Sequence, residues 1–306
     1  MNKESFTEQL QATLARRTGC HVHRQEVLKN NGVWYTSLTI QRKRTSLLPC
    51  IYVEPLYELF RQGELWEEIV NRALEFEETE TVREGFPTED FLTYEKVKKN
   101  IYYRIINQEA NEKLLEDIPH RKVLDLAKVY YVEVETPKLG QGAILIHFLH
   151  MKEWKITIEE VDRIATENTE QNKKPIVRSI GEVVRTHFCS ELDEFWEDEL
   201  LDCPMYVVSN EDWFYGASVL LYEGFLKTIS DMKKENLVIF PSSIHEFIFM
   251  KEKTAWEQFG IDLKEIVETV NRDAVSEEEY LSHYVYVYDR QKETLALYDG
   301  LRTENR

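Results

Sequence analysis

The sequence predicts an α+β protein, and three observations lead to that class. Some windows repeat their apolar residues at helical spacing, others alternate apolar and polar residues, and the two kinds of window succeed one another along all 306 residues. The order helix, antiparallel strands, helix recurs, which predicts three successive helix/antiparallel-sheet/helix units over residues 1–84, 85–175 and 176–306 and admits an internal repeat.

Phe6, Leu10 and Leu14 predict an opening helix that ends near Thr18-Gly19. Residues 21–28 then lead into Asn30-Asn31-Gly32, whose Asn-Gly pair takes the positive φ of a hairpin turn, and Trp34, Thr36, Leu38 and Ile40 alternate beyond it. After Cys50-Ile51-Tyr52-Val53, a helix from about Pro55 carries Leu65, Ile69 and Ala73 on a wide apolar stripe. In the middle, 101–106, 129–134 and 143–149 predict strands, the last two joined by a turn containing Gly140-Gln141-Gly142, before a helix bearing Ile158, Val161, Ile164 and Ala165. In the last third, 205–209, 237–240 and 247–250 predict strands, and 217–232 a helix with Leu221, Phe225, Ile229 and Met232 in line. Leu263, Ile266, Val267 and Val270 predict a further helix, and Tyr284, Tyr286 and Tyr288 begin a closing hairpin that returns through 294–298. Breaks between units are expected near 79–93 and 171–175, where polar and turn-forming residues interrupt the periodic runs.

Composition excludes several function classes. The chain is 42% hydrophobic, so it can bury a large core, and 11 Gly and 8 Pro without a Ser/Gly or Pro-rich tract argue against long flexible linkers. Fifty-six acidic residues against 38 Lys and Arg give a net charge of −18, which repels phosphate backbones and anionic lipid. Nucleic acid and membrane are therefore not expected partners. The basic triplet Arg42-Lys43-Arg44 reads as a solvated turn. No window has the length of apolar residues needed to cross a bilayer, and the N-terminus lacks the apolar stretch of a signal peptide. Cys20, Cys50, Cys189 and Cys203 form no Cys-x-x-Cys pair and suit reduced thiols, so a cytoplasmic location is expected.

The succession Tyr206-Val207-Val208-Ser209-Asn210, Tyr215-Gly216-Ala217, Pro241-Ser242-Ser243-Ile244-His245-Glu246, Asn271-Arg272 and Val285-Tyr286-Val287-Tyr288 resembles a family of uncharacterised proteins from gut-dwelling Gram-positive bacteria, known only as a domain of unknown function. The resemblance is clearest over residues 200–298, and Tyr102-Tyr103-Arg104 is similar in kind. It implies a bacterial origin and an intact fold, and it carries no activity.

Residues 241–246 are the most site-like segment, because Ser243, His245 and Glu246 are the side chains of a nucleophile, a base and an orienting acid. In an extended strand, however, Ser243 and His245 share a face with their Cα atoms roughly 6 to 7 Å apart, while Glu246 points the other way. There is no Gly-x-Ser-x-Gly elbow. The plainer reading is a turn into a strand, or the wall of a groove to which Asn210, Tyr215, Ser242 and His245 contribute. Cys20, His21 and His23, and separately His147 and His150, supply too few ligands on one face for a closed zinc site, so no metal is expected. Gly140-Gln141-Gly142 lacks the third glycine and the following helix of a dinucleotide fingerprint, and no cofactor is indicated. The acidic run 191–202 lacks the pattern of a calcium loop and reads as an amphipathic helix. The leading expectation is a non-catalytic module that binds a protein partner or a small ligand. A hydrolase-like enzyme centred on Ser243, His245 and Glu246 is the alternative, and an acidic decoy or immunity-type protein for a basic partner the third. The oligomeric state has no signature in the sequence.

Overall fold

A computed structural model describes residues 1–41, 50–80, 93–136, 140–188, 203–260 and 275–298, together with 263, 265, 267, 269 and 271. The chain is α+β, with three antiparallel sheets. The segment Arg42-Lys43-Arg44, Cys189, the acidic run 191–202 and most of the break expected at 79–93 lie outside the described residues.

Helix α1 (Lys3–Thr18) begins where the Asn2 side chain accepts the Ser5 N–H, and ends where Gly19 takes a φ of 66° and returns its N–H to the Ala15 carbonyl. Strands β1 (His21–Leu28) and β2 (Trp34–Gln41) pair in the predicted hairpin, turned by Asn31 and Gly32 with φ of 57° and 73°. Strand β3 (Ile51–Tyr52) completes a three-stranded sheet, and α2 (Val53–Arg61) and α3 (Trp66–Glu80) follow. The single helix predicted from Pro55 is thus two, because Gly63 leaves the helix at a φ of 97°. Phe6, Leu10, Leu14, Leu38, Ile40, Ile69 and Val70 close a core between helices and sheet, each buried side chain contributing about 1.5–3 kcal/mol.

After α4 (Tyr94–Val97), the middle sheet holds β4 (Ile101–Asn107), β5 (His120–Val123), β6 (Leu126–Thr136) and β7 (Gly140–Leu145), with α5 (Glu112–Leu115) between β4 and β5. β6 is central and pairs with the other three. Gly140-Gln141-Gly142, predicted to be the turn, instead lies inside β7 opposite residues 134–136, and the strand expected to reach 149 stops at Leu145 because Phe148 opens α6 (Phe148–Trp154). Helix α7 (Ile158–Asn172) is capped by Thr157 and lies along β4, where Thr169 Oγ1 accepts the otherwise unpaired edge N–H of Tyr103.

The connection at 171–175 is closely packed: Lys173 is only 5% exposed, and its carbonyl takes the Tyr222 hydroxyl. It leads directly into β8 (Pro175–Ser179), the outer strand of a six-stranded sheet, and α8 (Ile180–Phe188). Strand β9 (Tyr206–Asn210) follows, then the helices and strands α9 (Phe225–Lys233), β10 (Leu237–Phe240), β11 (Phe247–Lys251), α10 (Glu252–Phe259), β12 (Tyr286–Asp289) and β13 (Thr294–Leu297). The order across the sheet is β13-β12-β10-β11-β9-β8. The helix predicted over 217–232 is a 3-10 turn at Gly216–Leu221 and then α9, separated at Gly224, whose φ is 68°. Leu263 and Val267 are helical and buried as predicted, while Ile266 and Val270 lie outside the described residues.

Among the described residues, the three sheets have three, four and six strands, and they are not continuous with one another. The N-terminal core stands alone, whereas buried residues of the middle sheet, such as Tyr103 and Tyr130, share one cluster with Phe247, Phe249 and Tyr286 of the last sheet. The segment 276–282 ties all parts together. Asn30 Nδ2 donates to the Glu278 carbonyl, Asn31 Nδ2 to those of Glu277 and Tyr280, and Asn107 Nδ2 to that of Leu281. Asn31 and Asn111 also exchange two hydrogen bonds. Among the described residues, no helix is long and apolar enough to cross a membrane.

Candidate ligand-binding site

Strand β9 ends on Asn210, which is 2% exposed and whose amide folds the next four residues back: Nδ2 donates to the Phe214 carbonyl at 2.8 Å, and Oδ1 accepts the Phe214 N–H at 3.2 Å. The resulting loop holds Trp213 and Tyr215 at a left-handed φ of 54° each. That conformation costs a non-glycine residue roughly 1–2 kcal/mol, so other contacts must hold it. Two do. The Tyr215 N–H donates to His245 Nδ1 at 3.2 Å, and Gly216 lies so close to the neighbouring strands that a Cβ would sit 2.6 Å from Asn210 N and from the His245 carbonyl, and closer still to Ser209 Oγ.

Residues 241–246 are not extended. Ser243 bridges to Tyr280, and its hydroxyl accepts the His245 N–H at 3.0 Å while donating to Glu246 Oε1 at 2.8 Å. This small turn brings Glu246 to the side of Ser243, which corrects the opposite-face placement expected of a strand; the hydroxyl's local bonding to the backbone outcompetes the extended form. The Ser243 proton is directed at Glu246, and His245 uses Nδ1 for the Tyr215 backbone. The three side chains therefore do not line up as nucleophile, base and orienting acid. Ser242, half-buried, joins none of these hydrogen bonds.

The Tyr215 ring forms the floor of an aromatic cluster. His245 stacks on it with centroids 5.6 Å apart and planes 13° apart, Phe214 lies at 4.0 Å, and Tyr131 of β6 meets it edge-on at 5.2 Å. The Arg104 guanidinium of β4 lies 4.5 Å from the same ring's centroid, a cation–π contact. With Nδ1 accepting, the neutral His245 ring carries its proton on Nε2, which faces Glu279 Oε1 at 3.7 Å. Burial raises the Tyr131 hydroxyl well above the usual tyrosine range, with Glu133 adding to the shift and Arg104 opposing it.

Beside this cluster, Lys173 bonds Glu133 at 2.6 Å and Asp212 at 2.7 Å, with its ammonium over the Tyr102 ring. Burial alone would lower its pKa; the bonds to Asp212 and Glu133 outweigh that and hold it above the usual lysine value. It acts as an internal tie between the α7–β8 connection, β6 and the loop after β9. A separate cavity of about 320 Å³, lined by Leu124, Leu220, Leu226 and Leu295 among others, shares no wall with the cluster. Its cation, Lys227, is paired with Asp231 and Glu293.

Tyr215 and His245 are thus brought together, Asn210 supports them through the backbone, and Ser243 with Glu246 builds the turn beneath. The reading of the sequence missed Arg104, Tyr131 and Phe214. A signal existed for Arg104, the one charged residue in the run Ile101-Tyr102-Tyr103-Arg104-Ile105-Ile106. His21 and His23 sit with ring centroids 4.3 Å apart, and His147 and His150 lie at 5.5 Å. Among the described residues, no three His, Cys, Asp or Glu side chains converge to hold a metal ion.

A family model described as a family of unknown function, DUF5688, matches residues 3–290. No curated protein and no solved structure matches the chain.

Proposed function

The chain belongs to the DUF5688 family, whose description assigns no activity, and from that premise we propose that it is a non-catalytic binding module whose ligand site is the cluster of Tyr215, His245 and Arg104. One observation carries this reading. The polar atoms that hydrolysis would need are occupied within the fold, Ser243 by Glu246 and His245 Nδ1 by the Tyr215 N–H, while the aromatic platform and its cation are built at the cost of two left-handed residues.

A small ligand or a segment of a protein partner fits such a platform. The charge of −18 supports a partner that is neither nucleic acid nor membrane, and the free thiols of Cys20, Cys50 and Cys203 support a reducing cytoplasm as the setting. The decoy reading draws less support, because cations are interleaved with the carboxylates: Arg24 pairs with Glu4, Arg121 with Glu159 and Arg163 with Glu167.

The test uses the full chain. Wild type and Ser243→Ala are expected to be indistinguishable on chromogenic ester and amide substrates, and a metabolite panel is expected to yield a small molecule that raises the melting temperature of wild type and not of Tyr215→Ala. A hydrolysis rate that disappears with Ser243→Ala overturns the proposal. So does the absence of any stabilising ligand combined with a native pulldown that returns no stoichiometric partner.

A further inference from the structure

Arg104 stands apart from the other cations. In a chain with 56 acidic residues, no carboxylate among the described residues pairs with it, and its Nε is shut off from solvent without a hydrogen-bond partner. A buried N–H left unpaired costs about 1–3 kcal/mol, and more on a charged group. Its stacking on Tyr215 engages only the flat face of the guanidinium, whereas all five N–H donors lie in the plane. The Tyr215 backbone is held by His245 Nδ1, by the loop that Asn210 folds and by the close packing of Gly216, and its ring stacks on His245, so it is a rigid support.

We infer that Arg104 is the receptor for the carboxylate group of a small-molecule ligand, which the terminal Nη donors of this half-buried side chain take in the guanidinium plane while Nε stays enclosed, with Tyr215 as the platform. The inference rests on the binding-module reading and specifies its ligand. A planar, singly charged carboxylate matches the donor fork of arginine in geometry. A phosphate dianion is disfavoured by what surrounds the cluster: Glu279 lies beside His245, and Glu133 and Asp212 lie beyond Tyr131 and Tyr102 with only Lys173 between them.

The experiment titrates sodium benzoate into the uniformly 15N-labelled full chain at constant ionic strength, following the arginine Nε–Hε signals. The Arg104 signal is identified by its absence in Arg104→Lys, or by sequential assignment if that variant does not fold. The expected result is a saturable shift of that signal, an affinity at least about tenfold weaker in Tyr215→Ala, which removes the ring that holds the guanidinium in place, and a smaller response to inorganic phosphate. An unmoved signal, a linear drift equal to that produced by chloride, or an equal response to phosphate overturns the inference. These outcomes leave the binding-module reading standing, since that reading falls on Ser243-dependent hydrolysis or on the joint absence of a stabilising ligand and a stoichiometric partner.

Discussion

Gly216 shows how a single residue fixes the site. Its position allows no Cβ, because Asn210 N and the His245 carbonyl would both lie 2.6 Å from it, and backbone atoms cannot swing away as a long side chain would. Gly216→Ala is therefore expected to destabilise the chain by about 3 kcal/mol, the upper part of the usual range for overpacking. Urea denaturation measures this, and a loss below about 1 kcal/mol would show that β9 and the 241–246 turn are not held this closely. Tyr215-Gly216 was visible in the sequence as a pair opening a helical segment, but its reason was not. The close approach is made by Ser209 and His245, thirty-odd positions apart from one another, and no local rule reports such a distance. Arg104 is the opposite case. A lone cation among aliphatic and aromatic neighbours was legible, and only the absent carboxylate partner needed the structure.

At the scale of elements, α6 illustrates a helix whose start depends on pH. His150 Nδ1 accepts the His147 N–H at 3.0 Å, which requires that nitrogen to be unprotonated. Burial lowers the pKa of both histidines from 6.5, with Asp117 opposing the shift at His147 and the charge of His147 adding to it at His150. The folded chain thus binds fewer protons than the unfolded chain between the lowered values and 6.5, so stability rises with pH across that window. It is complete above 6.5 and is lost as the pH falls towards the folded values. His150→Gln retains an acceptor able to reach back to the helix start without titrating. The melting temperature of wild type is expected to drop between pH 7.5 and 5.5 by more than that of His150→Gln, and equal drops would remove this histidine as the cause. The sequence predicted a strand through this point because Ile144, Leu145, Ile146, Phe148 and Leu149 form an apolar run, and such a run has no period to separate strand from helix. The same limit explains the split at Gly224, where apolar positions stay in line although the chain leaves the helix at a positive φ.

For the whole molecule, the segment 276–282 acts as a common anchor. Asn31 contributes three side-chain bonds to it and to Asn111, and its left-handed backbone suits asparagine or glycine. Asn31→Gly keeps the backbone and removes the amide, and it is expected to cost about 2–3 kcal/mol. Because the N-terminal core is separate from the shared core, the loss is expected to fall on the docking of residues 3–73, with a shallower urea transition as those residues unfold first. An unchanged slope and midpoint would show that the junction contributes nothing to cooperativity. Asp125 accepts two further bonds, from the Ser282 hydroxyl at the end of this anchor and from the buried Tyr286 hydroxyl of β12, each at 2.6 Å, so the middle and last sheets are joined by more than apolar contact.

What the sequence by itself determined was the α+β class, the opening helix and hairpin, most strands and the acidity, because those depend on local periodicity, turn residues and composition. The tertiary structure decided what the candidate site is made of. Side chains from β4, β6, the loop after β9 and the 241–246 turn meet only when two sheets pack on one core, and the state of each polar atom, paired or left over, depends on that meeting. Ser243, His245 and Glu246 looked like an active site as a string, and packing turned them into the support for Tyr215 and Arg104.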